Sequence, residues 1–214
     1  MTALRRHLPF NTIISQTFLK QTLIMMKQTL KRWSMLLLAA PVLLTACSKA
    51  SDGENNDEEV ITTVNLKVTP HTGGGNPMVF SIDDPDGPGG NAPTQQNVVL
   101  APNTMYHFEL ELLDKTKNPA ANITAEVDEE GDAHRIYYLP SAGSNIQVTG
   151  LNNDDNGIPL GTTGFISTGA AGTGNLRVVL RHYGGNPPNK GAQDAWDSPK
   201  SSSDVDVTFN TAVQ

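Results

Sequence analysis

From residue 60 onward apolar and polar positions alternate in short runs. Val64, Leu66 and Val68 share one face of the segment 60–69, and Asn65, Lys67 and Thr69 share the other. A period of two predicts a half-buried strand. Residues 78–83 repeat the pattern with Met78, Phe80 and Ile82 on one side, and 96–100 form a shorter run. The clearest strand covers 104–114: Tyr106, Phe108, Leu110 and Leu112 point inward, His107, Glu109 and Glu111 outward. Further strands are predicted over 134–139, 145–151, 161–171 and 176–182, the last with Leu176, Val178 and Leu180 aligned. The closing strand covers 204–210, with Val205, Val207 and Phe209 inward and Asp204, Asp206 and Thr208 outward.

One stretch departs from this period. In 122–130, Ile123 and Val127 lie four apart among acidic residues, which predicts a short acidic helix capped by Asn122. Between strands, Gly, Pro, Asn and Asp recur at short intervals, and 184–203 forms a loop too long for a plain connector. Regularly spaced strands with frequent turn residues point to an all-β fold. The expected architecture is an immunoglobulin-like antiparallel β-sandwich with one short acidic helix.

The first 46 residues read differently. Lys27, Lys31 and Arg32 precede the apolar run 35–44, and Leu44, Thr45 and Ala46 lead to Cys47. A cationic flank, a short apolar core and small residues before a cut point mark a secretory signal. The core is too short to span a bilayer, which takes ~20 apolar residues. The cysteine after the small residues makes the run a lipobox, and the segment resembles the type II signal peptide of bacterial lipoproteins. That resemblance implies acylation of Cys47, cleavage before it and anchorage to the outer membrane, since Ser48 rather than Asp follows. The expected organisation is an overextended start or long leader in 1–25, a signal peptide in 26–46, an acidic disordered tether in 47–59 and a β-sandwich domain in 60–214.

Cleavage alters the charge. Six of the 15 Lys and Arg and none of the 22 Asp and Glu precede Cys47, so nine basic residues face 22 acidic ones and the net charge moves from −7 to −13. Such a chain lacks the basic face that nucleic acid requires. Cys47 is also the sole cysteine, so no intrachain disulfide forms and no thiol nucleophile remains.

No nucleophile elbow, Walker loop, H-E-x-x-H or C-x-x-C motif is present. The glycine-rich run 169–174 lacks a lysine and lies between strands, so it reads as a turn. These absences favour a binding module over an enzyme. Two acidic loops, with Asp83, Asp84 and Asp86 in one and Asp154 and Asp155 in the other, space hard oxygens as calcium sites do. Asp and Asn also populate turns for conformational reasons alone. A third group contains Glu130, Asp132 and His134, and His182 ends its strand. Imidazole beside carboxylate suits zinc and similar divalent ions; a solvated acidic helix with an incidental histidine fits the same residues. Trp196, in the long loop, is either a binding platform or a lid packed on the sandwich.

The lipobox, the strand start 61–64, the loop 83–90, the acidic helix leading to His134 and the run 180–182 together resemble small outer-membrane lipoproteins of Gram-negative bacteria. These carry the label "type 1 periplasmic binding fold superfamily protein". A periplasmic binding fold is α/β and far longer, so the label conflicts with the all-β pattern. The resemblance implies an accessory role beside a TonB-dependent receptor, in capture or handover of a scarce nutrient such as a metal. It supplies no catalytic residue.

Overall fold

The computed structural model describes residues 59–87 and 90–214. The lipobox, Cys47 and residues 48–58 lie outside the described residues. Strand β1 (Thr63–Pro70) is flanked by β2 (Met78–Asp83) and β5 (Met105–Asp114). With β3 (Thr94–Gln95), β6 (Ala121–Asn122), β8 (Ile146–Thr149) and β9 (Thr163–Thr168) they form a seven-stranded sheet in the order β3-β2-β1-β5-β9-β8, with β6 beside β5. A second sheet orders β4 (Val98–Leu100), β11 (Ser201–Val213), β10 (Gly172–Tyr183) and β7 (His134–Pro140). Every pairing is antiparallel except β4 on β11. The protein is thus an all-β sandwich with a single α-helix among the described residues, α1 (Ile123–Glu129).

The alternation builds this core. Leu66, Val68, Phe108, Leu112 and Ile166 from the first sheet and Ile136, Leu176, Val178, Leu180 and Phe209 from the second join one buried cluster. The Phe108 and Tyr138 rings meet edge to face across the sheets at 4.9 Å. At ~25 cal/mol per Å² of apolar surface, this burial is the main force closing the sandwich. It needs no disulfide.

Several expectations change in detail. Asn122 makes no side-chain cap on α1; its backbone pairs with Leu113 as part of β6. The helix is held instead by buried Ile123 and Val127 and by Thr124 Oγ1, which accepts from the Leu112 N–H at 2.7 Å. Residues 172–174 of the glycine run belong to β10, which leaves 169–171 to carry the chain from one sheet to the other. Gly161 adopts φ +95°, and a Cβ there would lie 2.9 Å from the Ile136 carbonyl oxygen, so both conformation and space demand glycine.

The largest departure lies in β11. Its register on β10 runs regularly from Val213 to Val205, which faces Leu180, and then shifts so that Ser203 faces Arg181. Asp204 is the extra residue of a β-bulge. Regular alternation would send it outward with Asp206; the bulge re-aims it, and its side chain is fully buried.

Candidate metal centre

At one end of the second sheet the inner face changes from aliphatic to polar. On β7, His134 shares parity with Ile136 and Tyr138; on β10, His182 shares parity with Val178 and Leu180. Antiparallel pairing puts His134 directly opposite His182, with ring centroids 4.6 Å apart. The bulge on β11 brings Asp204 Oδ2 to 3.9 Å from His134 Nε2. Three adjacent strands therefore supply a floor of two imidazoles and a carboxylate.

Two further carboxylates close over it. Glu130 is the C-terminal cap of α1, and its N–H donates to the Glu126 carbonyl. Glu59, just ahead of β1, places Oε1 at 3.6 Å from His134 Nε2. One ligating atom each from His134, His182 and Asp204 lie within 4.8 Å of one another, as do those of Glu59, Glu130 and His134. Both groups can hold a metal ion, and they share His134.

The tautomer of His134 follows from its surroundings. Nδ1 lies 3.1 Å from the Glu130 carbonyl oxygen, which only accepts, so Nδ1 carries the proton. Nε2 is left with its lone pair, buried and without a hydrogen-bond partner. The ring is fully buried, and this desolvation pushes its pKa down to about 4, although the Glu130 carbonyl opposes the shift. The contacts with Glu59 and Asp204 have ion-pair spacing, but a neutral imidazole makes no ion pair. A lone pair thus faces two carboxylates. A backbone carbonyl that fixes one ring nitrogen and leaves the other bare is the usual support of a metal-bound histidine.

Electrostatics agree. Burial pushes the Glu59 carboxyl up to about 7, and the charges of Asp204, Glu126 and Glu130 add to the effect. Glu59 Oε2 and His182 Nδ1 are also buried without hydrogen-bond partners. Lys190 does not neutralise this group. Its ammonium binds the Gly131 and His134 carbonyls and the Asp154 carboxylate, so it fixes the turn that carries His134.

The long loop, residues 184–200, is fastened over this end of the sheet. Arg135 donates to the carbonyls of Gly191 and Ala192 at 3.1 Å, Tyr137 Oη to Asp194 O at 2.8 Å and Arg181 to Ser198 O at 3.1 Å. Trp196 is half-buried, with the Arg177 guanidinium 4.3 Å above its ring. That geometry is the packed lid rather than an open platform.

The structure thus brings together Glu130, His134 and His182 from the sequence candidates and adds Glu59 and Asp204. Asp132 is exposed and belongs to neither group. Glu59 sat at the end of the expected tether, and Asp204 on the solvent face of a strand. The acidic loops do not converge on a common point. Asp83 accepts from Thr63 Oγ1 at 2.6 Å and Lys115 at 2.7 Å, and Asp86 accepts from Asn91. Asp84, beside Asp86, is pushed up by burial and by that neighbour. Asp154 accepts from the Asn156 and Ile158 N–H groups and pairs with Lys190, while Asp155 is exposed. Conformational bonding within the turns uses Asp86 and Asp154, and Asp83 is taken up by β1 and Lys115. The chain matches no family model, no curated protein and no solved structure.

Proposed function

We propose that this chain is a non-catalytic, lipid-anchored outer-membrane protein whose β-sandwich binds a divalent transition metal at Glu59, Glu130, His134, His182 and Asp204. The buried His134 Nε2 carries the reading: its lone pair has no hydrogen-bond partner and points at the Glu59 and Asp204 carboxylates, an arrangement that a divalent cation satisfies. Ligand atoms of one tetrahedral ion with ~2.0–2.1 Å bonds stand ~3.3 Å apart, close to the 3.6 and 3.9 Å measured here.

The donor set narrows the ion. Two imidazoles with carboxylates suit zinc and its first-row neighbours. Calcium prefers six to eight oxygens, and copper(I) prefers thiolate or thioether sulfur. The lipobox at Cys47 supports the anchor. The resemblance to accessory lipoproteins supports capture of the ion for a TonB-dependent receptor.

Metal content of the purified full chain tests the site. The parent retains one zinc equivalent against micromolar competition, and His134→Ala and His182→Ala lose it. A parent that binds no divalent ion at micromolar concentration overturns the reading. Cys47→Ala shifts the protein from the membrane to the soluble fraction if the anchor is acyl chains; unchanged partitioning refutes that part.

A further inference from the structure

Four of the five ligands sit on hydrogen-bonded elements: Glu130 caps α1, His134 opens β7, His182 lies in β10 and Asp204 in β11. The fifth does not. Residues 59–62 belong to no helix or strand; Thr62 N–H donates to the Leu113 carbonyl at 2.9 Å and β1 begins one residue later. Val60 is 53% exposed, yet the preceding Glu59 side chain turns inward and is only 14% exposed. A carboxylate with a buried, unpartnered oxygen gains nothing by leaving water for a neighbouring carboxylate and a neutral imidazole. An ion on the floor supplies the missing attraction.

We infer that Glu59 is the gate ligand of this site: a bound divalent ion closes residues 59–61 over the floor of His134, His182 and Asp204, and the ion leaves when that segment lifts. The inference rests on the metal-binding reading and adds its route of exchange.

The test uses the full chain and zinc. A glutamate-specific protease cuts after Glu58 and Glu59 in the metal-stripped protein, and zinc slows that cleavage about tenfold or more. Zinc leaves cleavage of the His134→Ala/His182→Ala double variant unchanged, which shows that the protection comes from the site and not from the protease. Glu59→Gln keeps the four remaining ligands, still binds zinc, and releases it to a chelating dye about tenfold faster or more, with entry little changed. Zinc binding to the parent without protection of the 58–60 bonds, or release from Glu59→Gln at the parental rate, overturns the gate and leaves the metal site standing. A parent that binds no zinc overturns the metal reading itself.

Discussion

Replacing Glu59 with glutamine stabilises the metal-free protein, and zinc removes most of that gain. In the metal-free protein the Glu59 carboxyl titrates near 7 instead of 4.5 because it is buried beside like charges. A folded-state value raised above the unfolded one adds stability below pH 4.5, which is lost as pH rises through 7. A rise from 4.5 to about 7 corresponds to ~3 kcal/mol at ~1.4 kcal/mol per pH unit. The carboxylate keeps some contact with water, and screening reduces this to ~1.5 kcal/mol. Glu59→Gln therefore stabilises the metal-free protein at pH 8 by ~1.5 kcal/mol, a Tm increase of ~3–6 °C for a domain of this size, and changes nothing near pH 4. Zinc at ~100 times its Kd adds ~2.7 kcal/mol to the parent and less to the variant, which has lost a ligand. Thermal melts of both proteins, with chelator and with zinc, at pH 4 and pH 8, give the answer. A variant less stable than the parent at pH 8 in chelator would mean that Glu59 is anchored by favourable contacts, and the electrostatic argument would fail.

Lys67 and Asn65 hold the Glu111 carboxyl below its usual range at 2.7 Å each; its contribution is present above pH 4.5 and lost as pH falls through the folded-state value. Glu111→Gln accordingly lowers stability by ~0.5–1 kcal/mol at pH 7, and the difference vanishes in melts at about pH 2.5. Lys190→Met leaves the buried Asp154 carboxylate without its cation and costs ~3–5 kcal/mol in urea unfolding; a loss under ~1 kcal/mol would show that the pair contributes little. Deleting Ser203 regularises β11: Asp204 then faces Arg181 on the outer surface while Ser202 stays opposite His182. That variant folds, retains its core and binds zinc weakly by calorimetry; parental affinity would show that Asp204 is not a ligand.

The sandwich is legible because its core is written in a period of two. Leu66, Phe108, Leu176 and Phe209 each sit where alternation puts them, and burial enforces that pattern throughout the two inner faces. The histidines were half legible. Each carries the parity of the apolar face of its strand, and each stands at the strand end where that face runs out. What the chain does not spell is the register that sets β7 against β10, which pairs His134 with His182, 48 positions further on. Asp204 was hidden for a sharper reason: alternation with Val205 and Val207 assigns it to solvent, and only the bulge, a property of the pairing rather than of either strand, reverses it. Glu59 was hidden by its neighbours, because the last residue of an acidic run looks like more tether.

The position of this cluster at the sheet end has a physical reason. In mid-sheet, three carboxylates among Leu176, Val178 and Phe209 would be wholly desolvated, at a cost of several kcal/mol each, and the metal-free domain would not close. At the end, Glu130 remains exposed, Glu59 lies on a segment outside the ladder, and only His134 and Asp204 are fully buried. Neutral imidazole is the cheapest ligand to bury, and the fully buried ring belongs to the histidine that burial keeps uncharged. The charged ligands are graded outward from it. On the proposed metal reading, such grading lets the fold stand without an ion while keeping a preformed imidazole floor, and an exchangeable site requires both.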